Sequence, residues 1–214
     1  MTIFVFANGD IARTEWIRPL LPHASFIIAA DGGTRHLMAV QHPPDVVVGD
    51  MDSLPPEVAD WLHTTPARLI THPAAKDETD LELALLLALA HEGPIWVFGA
   101  LGGRLDQTLA NILLLAHPAL HGRSVQLVNE YERAWLVEGE TVVNGRAGDI
   151  VSLIPLAGDV TIDHTTGLEW PLRDDVLAFG PARGVSNVMT EDTAAVRLAG
   201  GRLLCVHTRQ SWKR

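Results

Sequence analysis

Apolar residues follow two rhythms along the first 122 positions. Short β-branched or aromatic runs at 3–7, 26–30, 46–48, 68–71 and 95–98 are bounded by Gly, Pro or Asp. Runs of this kind read as buried strands. Between them the spacing turns helical. Leu81, Ala84, Leu85, Ala88 and Leu89 recur at i, i+3, i+4, i+7 and i+8. Thr79-Asp80-Leu81-Glu82 just before that stripe fits a capping box, which predicts a helix starting near Asp80. Leu105, Leu109, Ile112, Leu113 and Ala116 form a second stripe, and Pro118 helps to stop it. Strand and helix in alternation predict a Rossmann-like α/β domain, a mostly parallel sheet with helices packed on it.

From residue 123 onward the helical stripes stop. Strand-like runs lie at 124–128, 134–137, 141–143, 150–154, 160–162, 176–179, 194–198 and 203–207. Asn144-Gly145, Gly158-Asp159 and Gly200-Gly201 are turn signals among them, and Gly200-Gly201 predicts a hairpin. Many short strands with tight turns predict an antiparallel β-sandwich. The expected division is an α/β domain over 1–122 and a β-sandwich domain over 123–214, joined without a flexible linker.

Composition narrows the function classes. With 214 residues and 47% apolar content, the chain can bury one sizeable core or two small ones. Its 16 basic and 26 acidic residues give a net charge of −10 with no basic run, which argues against a nucleic-acid partner. The one cysteine, Cys205, allows no disulfide within the chain and reads as buried filler. The apolar N-terminus is short and lacks a basic lead, and no run reaches the roughly 20 apolar residues of a membrane span. The expected setting is cytoplasmic, without a membrane partner. Ten histidines are scattered without a metal-ligand spacing, so each reads as structural or exposed.

Ligands of open α/β sheets bind outside the carboxyl ends of the strands. Five runs lead in turn to Asn8-Gly9-Asp10, Asp31-Gly32-Gly33, Gly49-Asp50-Met51-Asp52-Ser53, Lys76-Asp77-Glu78-Thr79-Asp80 and Gly99–Gln107. Gly and Asp are ordinary turn residues, but five such loops on one expected edge point to a site. Asp31, Asp50, Asp52 and Asp80 would repel one another unless a hard cation joined them, and magnesium prefers carboxylates together with substrate phosphates. Gly32-Gly33 and Gly102-Gly103 would let backbone approach a phosphate, and Lys76 and Arg104 could balance phosphoryl charge. These residue types fit phosphoryl transfer. There is no P-loop, dinucleotide fingerprint or Gly-x-Ser-x-Gly elbow. Plainer readings stand beside these: Asp80 as a helix-start acid, Asp106 as an N-cap, Asp50 and Asp52 as turn closers, Lys76 as a solvated loop residue.

Ala30-Asp31-Gly32-Gly33, Gly49-Asp50-Met51-Asp52-Ser53-Leu54, Lys76–Asp80 and Gly102-Gly103-Arg104-Leu105-Asp106-Gln107 resemble the signature blocks of thiamine pyrophosphokinases. Gly167-Leu168-Glu169-Trp170-Pro171-Leu172 resembles that family's Gly-Leu-x-Trp block, and Gly184-Val185-Ser186-Asn187 its Ser-Asn block. The resemblance implies an ATP- and Mg2+-dependent transfer of diphosphate to thiamine, with AMP as the other product. It implies a homodimer with active sites at the subunit interface. Asp31, Asp50, Asp52 and Asp80 would hold the metal and the triphosphate. Asn8, Gly9, Gly32, Gly33, Lys76, Asp77, Gly102, Gly103, Arg104, Asp106 and Gln107 would line the ATP side. Asp52 or Asp80 would accept the hydroxyl proton. Trp170, Ser186 and Asn187 would line the thiamine side. Thr34-Arg35-His36 departs from the family pattern, as does the absence of an aromatic in Leu203–Val206; Trp212 lies further on. Rival readings are a same-fold enzyme acting on a hydroxymethyl pterin, a phosphatase built on the Asp50-x-Asp52 pair, and a non-catalytic nucleotide or thiamine sensor.

Overall fold

Short β-branched and aromatic runs become six strands in the first half: β1 (Thr2–Phe6), β2 (Ala24–Ala30), β3 (Val46–Gly49), β4 (Arg68–Thr71), β5 (Ile95–Phe98) and β6 (Val125–Val128). They lie in the order β6-β5-β1-β2-β3-β4. Every pairing is parallel. All five carboxyl ends named above therefore share one edge. The structure is a computed structural model that describes residues 2–52 and 54–210, so Ser53 and Trp212 lie outside the described residues. It separates into two compact units, up to Glu130 and from Tyr131 onward. The sequence pattern groups the run at 124–128 with the later strands, but β6 pairs in parallel with β5 and extends the first sheet.

Parallel strands covered on both faces need apolar side chains on both. β3 is buried at all four positions and β1 at four of five. Phe4, Phe6 and Phe98 are fully buried. Phe98 lies against Phe6 with ring centroids 4.8 Å apart and against Phe4 at 5.0 Å. Each such ring contributes about 1.5–3 kcal/mol by burial.

Four helices connect these strands: α1 (Thr34–Ala39), α2 (Pro56–His63), α3 (Asp80–Ala88) and α4 (Leu105–Leu114). α3 starts where its capping box predicts: the Thr79 side chain accepts from the Glu82 amide at 3.2 Å. Leu81, Ala84, Leu85 and Ala88 then face the core. α4 forms where expected but turns the other way. Leu105, Leu109 and Leu113 are 73%, 53% and 57% exposed, whereas Asn111 is buried. The Asn111 amide donates to the Ala100 carbonyl at 2.9 Å, which ties the polar position inward and leaves the leucines outside. The helix is capped at Arg104 without a side-chain bond, so Asp106 lies in its first turn and is not the N-cap.

Among the described residues the second unit has eight strands: β7 (Glu132–Val137), β8 (Glu140–Asn144), β9 (Ile150–Pro155), β10 (Val160–Thr166), β11 (Arg173–Leu177), β12 (Asn187–Val188), β13 (Thr193–Gly200) and β14 (Leu203–Thr208). They form antiparallel layers ordered β12-β9-β14-β7 and β11-β10-β13-β8. Val151, Leu153 and Leu203 from one layer meet Ile162, Val196 and Leu177 from the other in a common core. Gly200-Gly201 does not close a hairpin. β13 pairs with β10 and β8, while β14 pairs with β9 and β7, so the two glycines carry the chain from one layer to the other. Cys205 is fully buried in this core, and burial pushes its thiol up to about 12. Among the described residues, no helix is long and apolar enough to cross a membrane.

Candidate active site

A cavity of about 730 Å³ opens at the carboxyl edge of the parallel sheet, lined by the loops that follow β1 to β5. Asp31 leaves β2 with φ of 43°, a left-handed backbone, and is 2% exposed. Two close approaches hold it there. A Cβ on Gly33 would sit 2.0 Å from the Phe6 carbonyl oxygen, so only glycine lets this turn lie on β1. A Cβ on Gly49 would sit 2.8 Å from the Asp31 Cβ and 3.3 Å from the Asp80 carboxyl carbon. Gly49 thus makes room for two acids to approach. Asp31, Asp50 and Asp80 each bring a carboxylate oxygen to within 4.8 Å of the others.

Lys76 sits among them, with Nζ 2.8 Å from Asp80 and 3.8 Å from Asp50. Its bond to Asp80 pushes the ammonium up against the opposing cost of burial, and the charges of Asp80, Asp50 and Asp31 add to the rise. One ammonium against three carboxylates leaves two negative charges on oxygens a few ångströms apart. That donor set fits a hard divalent cation such as Mg2+.

The remaining first-unit residues divide. Asn8, Gly9, Gly102, Gly103, Arg104 and Gln107 line the cavity. Gly102 and Gly103 have φ of 99° and 79°, and a Cβ on either would touch nothing closer than 3.5 Å, so backbone geometry demands glycine there. Arg104 is exposed and grips Asp106 through Nε at 3.1 Å and Nη2 at 2.5 Å. That pairing pushes the guanidinium up and holds the Asp106 carboxyl below its usual range. Gly32, Gly33, Asp77 and Asp106 are not among the lining residues. The missing side chains of Gly32 and Gly33 serve packing against Asn8 and Phe6. Asp52 is exposed and outside the three-acid group. Met51 turns the chain with φ of 66°, and the Asp52 amide donates back to Asp50 at 3.0 Å.

In the second unit, Trp170 and Asn187 hold each other. The Trp170 amide donates to Asn187 Oδ1 at 3.1 Å, and Asn187 Nδ2 donates to the Trp170 carbonyl at 2.7 Å. Asn187 is buried while Trp170 is 57% exposed. Ser186 has φ of 65° and its amide donates to Ser152 Oγ at 3.0 Å. The sequence-predicted trio therefore shares one locality.

A family model for the thiamin pyrophosphokinase catalytic domain matches residues 17–127, just over half of the chain. A model for the thiamin pyrophosphokinase vitamin B1 binding domain matches residues 140–203. The chain belongs to the thiamine pyrophosphokinase family. It is 28% identical over 210 residues to thiamine pyrophosphokinase from Bacillus subtilis, covering 97% of this chain and 98% of that protein. It is 28% identical over 169 residues to thiamine pyrophosphokinase 3 from Oryza sativa subsp. japonica; the match covers 74% of this chain and 63% of the rice protein's length. The crystal structure of the Bacillus subtilis protein superimposes with a TM-score of 0.89 at 25% identity, covering 98% of this chain and all of that one.

Within this thiamine pyrophosphokinase fold, the site has residues that sequence reasoning missed. Arg35 lines the cavity and donates to the carbonyls of Asn8 at 2.8 Å and Gly9 at 3.1 Å. His36 Nε2 lies 2.9 Å from the same Gly9 carbonyl, so that nitrogen carries the proton. Arg35 and His36 thus brace the loop after β1, while Thr34 Oγ1 donates to the Asp31 carbonyl at 2.7 Å. Asn111 was the other signal: one amide inside an apolar helical stripe.

Proposed function

We propose that this chain transfers the diphosphate of ATP to the hydroxyl of thiamine, giving thiamine diphosphate and AMP. The observation that carries the reading is the Asp31, Asp50, Asp80 and Lys76 cluster in the lining of a cavity that Gly9, Gly102 and Gly103 also line, in a chain of this family. Asp31, Asp50 and Asp80 would hold Mg2+, which when bound neutralises phosphate charge and orients the polyphosphate for in-line attack. Gly102 and Gly103 offer backbone, and Asn8 and Gly9 a small surface, to the nucleotide. Gln107 lies one turn further along the same wall. Lys76 lies against the cluster and shares the charge that develops on the transferring group. Arg104 exchanges its exposed grip on Asp106 for phosphate oxygens. Of Asp52 and Asp80, the two candidates for the thiamine proton, Asp80 belongs to the cluster. Trp170, Ser186 and Asn187 form the thiamine side, where an aromatic face suits a cationic ring.

The working form is a homodimer with its sites at the subunit interface. The exposed leucines of α4 support an assembly that covers them, since the same helix carries Gln107 and Asn111 into the cavity wall.

One incubation of the purified chain with ATP, Mg2+ and thiamine tests the reaction. AMP and thiamine diphosphate should appear in equal amounts, and chelation should stop both. ADP as the nucleotide product would overturn the reading. So would transfer to a hydroxymethyl pterin but not to thiamine, or phosphate release from simple esters without ATP.

A further inference from the structure

A second cavity, of about 620 Å³, lies wholly within the second unit. Trp170, Ser186 and Asn187 take no part in it; Arg133, Arg146, Asp149, His207 and Arg209 do. Asp149 is its one acid among the described residues, and that carboxylate is engaged on every side. Oδ2 accepts from the Arg146 amide at 2.9 Å and lies 2.9 Å from His207 Nε2, while Oδ1 accepts from the Gln210 amide at 2.8 Å. Burial raises this carboxyl, but the Gln210 amide, His207 and the Arg146 amide together hold it below its usual range. Asp149 thus ties the loop after β8 to the end of β14. Gly145 completes this wall: a Cβ there would sit 2.7 Å from His207 Nε2 and 2.8 Å from Asp149 Oδ2.

What faces the open space is positive. Three of the chain's 16 basic residues gather here although the whole carries −10. Among the described residues, no hydrogen bond or ion pair engages the side chain of Arg146 or Arg209. Burial pushes the Arg133 guanidinium down, and the charge of Arg209 pushes it further. Like charges held together around a formed cavity are relieved by an anion. Guanidinium forks match the oxygens of a phosphate in paired bonds, and a group of two or more negative charges answers more than one of them.

We propose that this cavity is a binding site for a phosphate group, gripped by Arg146 and Arg209, with Arg133 in the same lining. The site is built from second-unit residues alone. The occupant is free phosphate or the phosphate end of a larger molecule; the recognition chemistry is the same.

Equilibrium dialysis of the full chain against radiolabelled inorganic phosphate tests it. The double substitution Arg146→Ala/Arg209→Ala should weaken binding by about tenfold or more, the loss expected for charge-assisted contacts. Both residues are exposed, so the variant should keep the thermal transition of the parent. Lys76→Ala, in the other cavity, should leave this binding in place. Competition then separates the sources. Displacement of phosphate by AMP or thiamine diphosphate, lost in the arginine variant, assigns the site to a phosphate end. No displacement assigns it to free phosphate. A parent chain that binds no phosphate at millimolar concentration, or a double variant that binds as well as the parent, overturns the proposal.

Discussion

Asp31 shows how a single position is held for chemistry. Its left-handed backbone costs about 1 kcal/mol or more for a residue with a Cβ, and the packing of Gly33 on β1 and of Gly49 beside it enforces that shape. Asp50 is less constrained, so it separates function from folding. Asp50→Asn should remove most turnover while the circular dichroism and thermal transition stay close to the parent's; a variant with near-normal turnover would rule out Asp50 as a metal ligand. His36 makes a different test. Burial pushes it from 6.5 to about 4, against the upward pull of the Gly9 carbonyl. The unfolded chain takes up this proton near 6.5 and the folded chain resists until about 4. The neutral ring's contribution is therefore full above about 6.5 and lost as pH falls through that window. Between pH 7.5 and 5 it should account for about 2 kcal/mol of lost stability. His36→Gln, which keeps a donor for Gly9, should show a shallower fall in urea unfolding measured at the two pH values. Equal falls would mean that His36 does not titrate with folding.

Among the elements, α3 was readable and α4 only half so, for one reason. α3 carries its signal locally, in Thr79, Glu82 and a leucine stripe that meets the sheet. Thr79→Ala should cost about 1 kcal/mol in thermal or urea unfolding. α4 has as regular a stripe, yet periodicity says which residues share a face and not which face is covered. The burial of Asn111 depends on the Ala100 carbonyl, a partner eleven positions away. Leu109→Glu tests the proposed dimer: it should leave the fold intact and lower the sedimentation coefficient of the chain relative to the parent, and an unchanged coefficient would overturn an interface on α4. Strand pairing had the same difficulty. The parallel order of β1 to β5 follows from alternation with helices, but the run at 124–128 and the Gly200-Gly201 turn were misplaced because their partners are distant. The acid cluster was readable as loops on one edge. The separation of Asp52 from it turns on the backbone of Met51, which composition does not reveal.

For the whole molecule, the two units concentrate opposite charges. The first unit draws carboxylates from three strand ends into one cavity, and the second gathers arginines in another. Neither arrangement exists in the unfolded chain, so ligands of either cavity stabilise the fold by mass action. Mg2+ with ATP at about a hundred times its dissociation constant should add about 2.7 kcal/mol and raise Tm accordingly, while ATP with a chelator should not. Equal shifts with and without the metal would separate nucleotide binding from the carboxylate cluster.

The lone thiol of Cys205 turns the second unit into its own reporter. It is closed off between two layers of strands, with its ionisation pushed up to about 12, so a thiol reagent meets no nucleophile while the layers stay together. Labelling can proceed only through openings that part them. Because no second cysteine competes for the reagent, the modification rate of the native chain reports the population of those openings when reclosing is fast, and their rate at high reagent, without any introduced probe.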